Sequence, residues 1–162
     1  MAFGRSLIAA TGVALGFALA LTPGAASADS PQVPFKLDFS GSVGFTGPTT
    51  GVASGSGQAL HLGRVTTTGQ IQLTGPDASC PGGLANIHTE TLTAVNGDSL
   101  TVTSLDVACP SEPGVFHGTG HWTVTAGTGR FAGVSGEGSF DGHGDFNAGT
   151  FTATLSGTLV LP

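Results

Sequence analysis

The chain has 162 residues, 28 of them glycine, with only 9% charged side chains, no tyrosine and a formal net charge of −6 at pH 7. Beyond residue 28 the basic side chains are Lys36, Arg64 and Arg130 alone, which leaves no basic patch for nucleic acid or an anionic membrane surface. Alternating Phe, Val, Leu and Thr argue against disorder, and the length after residue 28 is that of one packed domain.

Arg5, the apolar run from Leu7 to Leu21, and the small residues Ala26-Ser27-Ala28 have the layout of a secretory signal peptide over residues 1–28, with cleavage after Ala28. The apolar run stops at Thr22-Pro23-Gly24 and is marginal for crossing a bilayer. No cysteine follows it to carry a lipid, and a lone arginine is not a twin-arginine signal. The expectation is a protein secreted by the Sec route, without a membrane anchor, with a loose lead-in over 29–34 and a single domain over 35–162.

Phe35, Leu37, Phe39, Val43 and Phe45 alternate with polar residues, the period-two signature of a strand with one buried face, and Gly47-Pro48 ends it. A weaker, glycine-loosened strand spans 51–62, with a bend or bulge at Gly63-Arg64. Val65, Thr67, Gly69, Ile71 and Leu73 form the next alternating set, closed by Gly75-Pro76-Asp77. Leu84 to Val95 and Leu100 to Val107 flank Asn96-Gly97-Asp98, which predicts a hairpin with a type I′ turn. Val115 to Thr125 carries Phe116, Trp122 and Val124 on one parity. The glycine-rich stretch 126–150 then reads as turn, bent strand and turn, and a last strand runs from Phe151 to Leu161.

Cys80 and Cys109 both lie in the exported part, and an even count in an oxidising compartment predicts one disulfide. Each is followed by proline, which predicts positions at strand ends. The bond would tie the outer ends of the Asn96-Gly97 hairpin. No stretch shows helical apolar spacing, so little or no helix is expected outside the signal peptide. About eight short strands in one domain leave a sandwich or a barrel, and glycines within strands favour an eight-stranded antiparallel β-barrel.

With these residues placed, a resemblance emerges. Gly127-Thr128-Gly129-Arg130-Phe131 followed by Gly133-Val134 and Gly136 resembles a hairpin of allene oxide cyclase-like and dirigent-like barrels. Leu37-Asp38-Phe39-Ser40-Gly41, Leu60-His61-Leu62-Gly63-Arg64 and Phe151 to Leu159 are similar to stretches of small exported bacterial members of that superfamily. The resemblance implies an eight-stranded antiparallel barrel, often a homo-oligomer, sometimes holding an apolar ligand. Plant members steer radical coupling or close a cyclopentenone ring, and some bacterial relatives shape cyclisations. The shared motifs specify turns and closure, and no functional residue of the plant proteins is carried over.

Several constellations bear on chemistry. Asp141, His143 and Asp145, at i, i+2 and i+4, have a metal-like spacing, although glycine-rich Asp/His segments are also ordinary hairpin tips. His117 and His121 share a strand face but stand about 13 Å apart, too far to hold one ion between them. Asn86, His88 and Glu90 share a face and include an acid–base pair; polar alternates of an antiparallel strand usually point to water, so a solvated face is expected. Trp122 and Phe116 read as core or interface. There is no nucleophile elbow, and no helix follows Gly127-Thr128-Gly129 to make it a phosphate loop. The function expected is a binding or structural module without catalysis or cofactor, its partner an apolar small molecule. The alternatives are a cyclase or isomerase using His88, Glu90, His117 and Trp122, and self-association through an apolar outer face.

Overall fold

The computed structural model describes residues 30–162; the secretory signal expected over 1–28 lies outside the described residues. Eight strands follow in order: β1 (Gln32–Phe45), β2 (Thr50–Ala59), β3 (Gly63–Asp77), β4 (Gly83–Ala94), β5 (Ser99–Glu112), β6 (Val115–Gly127), β7 (Ser135–Asp145) and β8 (Thr150–Val160). Each pairs antiparallel with its sequence neighbours, and β1 pairs with β8, so the sheet closes into a barrel. One 3-10 turn, Gly129–Phe131, is the only helical element among the described residues.

Period-two patterning decides which face turns inward. On β1, Phe35, Leu37, Phe39 and Val43 are buried while Lys36, Asp38, Ser40 and Ser42 meet solvent. Tight coiling needs bare backbone where strands approach most closely. Gly41 and Gly55 stand opposite each other, and a Cβ on either would run into the partner strand's carbonyl, at Ser54 and Ser40 respectively. Gly138 and Gly157 repeat the arrangement between β7 and β8. Glycines that weaken a flat strand are therefore what allows this sheet to curve shut.

The barrel's two ends differ. One is a solid apolar plug of Phe35, Leu37, Val65, Leu92, Leu100, Trp122, Leu155 and Leu159, with Phe131 and Val134 folded over it. The Gly127-Thr128-Gly129-Arg130-Phe131 motif builds this lid. Thr128 Oγ1 accepts the Ser99 backbone N–H at 2.9 Å, Gly129 adopts φ +57°, and Phe131 is buried. Arg130 lies over the Phe131 ring and reaches Asp98 at 3.5 Å. The other end is hollow.

Cys80 and Cys109 form the disulfide, with Cα atoms 6.0 Å apart, at the hollow end. Several boundaries differ from the sequence expectation. Residues Gln32 to Pro34, expected in a loose lead-in, extend β1 against β8. Proline fits there because the β1–β2 ladder begins only at Leu37, and the Pro34 carbonyl accepts His61 Nε2 at 2.9 Å instead. Gly75-Pro76-Asp77 is paired with β4 as the last part of β3, beyond a bulge between Leu73 and Gly75, rather than forming a turn after it. Cys109-Pro110 lies within β5, where the ladder is again irregular between Pro110 and Glu112. The β4–β5 turn is not type I′: Gly97 N–H donates to the Ala94 carbonyl, Ala94 N–H to that of Asp98, and only Gly97 takes positive φ. That is a three-residue loop with a glycine bulge.

Candidate functional site

The hollow end contains a cavity of about 90 Å³. Its wall is mostly aromatic and aliphatic, including Phe39, Val43, Ile71, Leu73, Phe140 and Phe151. Phe45, Phe116 and Phe146 gather at its mouth, with Phe45 and Phe146 stacked at 4.7 Å and Phe116 edge-on to Phe146 at 5.8 Å. Of the polar residues that line the cavity, four are buried or half-buried, Asn86, His88 and Glu90 from β4 and Asp106 from β5, whereas His143 and Thr152 are exposed.

These four arrive together because inward positions alternate on β4 and the β4–β5 register places Asn86 directly opposite Asp106. The expected solvated face for Asn86, His88 and Glu90 is thus corrected: in a closed barrel the parity that carries Leu92 inward carries them inward as well. Asn86 Nδ2 donates to Asp106 Oδ1 at 2.6 Å, and His88 Nε2 lies 3.0 Å from Asn86 Oδ1. An amide oxygen only accepts, so the proton of neutral His88 sits on Nε2. Among the described residues, Asp106 Oδ2, 3.8 Å from His88 Nε2, has no hydrogen-bond partner, and neither has Glu90 Oε1.

Glu90 lies in a gap left by a glycine. Gly69 is its cross-strand partner on β3, and a Cβ there would collide with the Glu90 carboxyl group. Burial pushes Glu90 up to about 7, only partly opposed by the Thr67 hydroxyl, and pushes Asp106 up to about 7. Burial likewise holds His88 down at about 4, so it is neutral at neutral pH. Two carboxyl groups poised near neutrality beside a neutral imidazole can donate, accept or exchange a proton inside an apolar space.

The other anticipated residues lie elsewhere. Trp122 is fully buried in the plug, edge-on to Phe35 with centroids 5.4 Å apart. His117 lies on β6 and does not line the cavity that holds His88 and Glu90. Asp141 and His143 face outward on β7, but Asp145 does not join them. Its Oδ1 accepts the backbone N–H groups of Asn147 and Ala148 at 2.9 and 3.0 Å and so shapes the β7–β8 turn. Sequence reasoning missed Asp106, although it shares parity with Leu100, Val102 and Ser104.

Compared with family models, curated proteins and solved structures, the chain matches none.

Proposed function

We propose that this is an exported binding barrel that takes a mostly apolar small molecule through the phenylalanine-lined mouth and seats one neutral oxygen function, a carbonyl or hydroxyl, on the polar floor. One observation carries this reading: an apolar cavity ends on two buried carboxyl oxygens, Glu90 Oε1 and Asp106 Oδ2, that no group among the described residues satisfies. Such atoms cost free energy in an empty protein and give orientation and selectivity to a ligand that completes them. A neutral ligand suits the site because protonated carboxyl groups donate to oxygen, whereas no buried cation is at hand to receive an anion. The cavity has room for the polar head and first ring of such a molecule, so a larger body would extend between Phe45, Phe116 and Phe146.

Native mass spectrometry of the purified protein tests this. A co-purified small molecule is expected in the wild type and is expected to be absent from Ala108→Phe, which fills the cavity from its wall. Retention of the same mass in Ala108→Phe would contradict the assignment.

A second reading is acid–base catalysis of a cyclisation or isomerisation, in line with the resemblance to allene oxide cyclase-like barrels. The pairing of two near-neutral carboxyl groups with a neutral imidazole favours it. Glu90 would move the proton and Asp106, held by Asn86, would polarise the substrate oxygen. Turnover lost in Glu90→Gln while ligand retention persists would favour catalysis over simple binding.

A further inference from the structure

The outer wall of the barrel carries a second group of side chains with chemistry of its own. His117 on β6 stands directly opposite His143 on β7, and Asp141 lies two residues back on the same face as His143. The two imidazole rings are parallel, 4.3 Å apart and inclined by only 5°. His117 Nε2 is 3.0 Å from Asp141 Oδ2, and one ligating atom from each of the three residues lies within 4.8 Å of the others. His117 and Asp141 do not line the cavity, whereas His143, exposed on the outer face, is also one of its lining residues. Their strand neighbours Gly142 and Gly144 supply the inner surface at this level.

We propose that His117, Asp141 and His143 form a surface site for a divalent late first-row transition ion, with zinc as the reference case. Two imidazoles and one carboxylate are a donor set suited to zinc, copper or nickel rather than to calcium or magnesium, which require a larger number of oxygen ligands. Tetrahedral zinc with bonds of about 2.0–2.1 Å places its ligand atoms about 3.3 Å apart. The His117–Asp141 spacing is already near that value. The remaining separation closes by side-chain rotation, which the exposure of Asp141 and His143 permits. Water completes the coordination. The backbone supports the site well, because the three residues sit on two paired strands of a closed sheet rather than on a mobile tip.

Spacing along one strand already set aside His117 with His121, while the pair His117 and His143 was not visible in the sequence. His121 shares the outer face of β6 with His117 but pairs with Ser139, well along the strand from Asp141 and His143. Cross-strand pairing, not spacing along one strand, brings the donors together.

Calorimetric titration of the purified, chelator-stripped protein with zinc chloride tests the proposal, alongside nuclear magnetic resonance of the five histidine side chains. One equivalent of zinc is expected to bind, shifting the imidazole signals of His117 and His143 and leaving those of His61, His88 and His121 in place. His117→Ala and His143→Ala are each expected to remove the binding, while His121→Ala, on the same face, retains it. All three changes are on the solvent side, and unchanged far-ultraviolet dichroism would establish that the barrel is intact. Absence of a zinc-dependent shift in the wild type overturns the proposal. So does binding that survives His143→Ala, or that is lost equally in His121→Ala.

Discussion

Glu90 shows how much a single position can depend on its surroundings. Its carboxyl group occupies the space left by the missing side chain of Gly69, under an apolar roof, and burial keeps its proton on to about pH 7. The unfolded chain releases that proton near the ordinary value of 4.5, so the folded state loses stability as the pH rises from there through about 7. Asp106 acts in the same direction, from 3.8 to about 7. His88 opposes both between about 4 and 6.5, where the unfolded chain binds more protons than the folded one. Two carboxyl groups against one imidazole leave a net decline. Glu90→Gln removes the ionisation cost and is therefore expected to stabilise the protein at pH 8 by about 1–3 kcal/mol, with little effect at pH 5. Urea denaturation at the two pH values measures this, and a loss of stability at pH 8 would contradict it.

At the scale of strands and turns, the β4–β5 hairpin controls the site. Its turn was expected to be type I′, with two residues at the tip, whereas Gly97 alone takes positive φ in a three-residue loop. The difference is a single residue of register, which in a strand exchanges the two faces. A two-residue loop would have turned Asp106 to solvent. The observed loop sets Asn86 against Asp106 and completes the floor. Strand number, strand positions and the cysteine pair were legible because alternation and cysteine count are local properties. Asp106 and the outward His117–His143 pair were not, because each depends on cross-strand register. The disulfide ties the loop before β4 to the far part of β5 across 29 residues and so holds this hairpin at the mouth. Replacing both Cys80 and Cys109 by serine is expected to cost about 3–4 kcal/mol by the chain-entropy account. That corresponds to a fall in Tm of about 10–15 °C for a domain of this size. A fall of less than about 2 °C in calorimetry would mean that the hairpin is held by its ladder alone.

Taken as a whole, the barrel divides its labour along its axis. Large aliphatic and aromatic side chains fill one end to near-solid packing and leave the other to phenylalanines with space between them. The solid end supplies the stability that allows the hollow end to keep unsatisfied polar atoms, a division expected where binding sites carry local strain or desolvation. The choice between barrel and sandwich was legible in the sequence from glycines within strands, and the Gly41–Gly55 and Gly138–Gly157 contacts supply the physical reason. Which parity faced inward on β4 was not legible, because a strand with polar residues at 86, 88 and 90 mimics a water-facing one. Only closure of the ring, with Leu92 and Ala94 in the plug, turns that face to the interior.

Everything proposed for the hollow end requires that the floor carboxyl groups be shut inside the barrel. Carbon-13 resonance of the aspartate and glutamate side-chain carboxyls, followed from pH 3 to pH 9, tests that claim most directly. Two of these groups are predicted to titrate near 7, one vanishing in Glu90→Gln and the other in Asp106→Asn. Titration of every carboxyl group in the ordinary range near 4 would place both residues in water and contradict it.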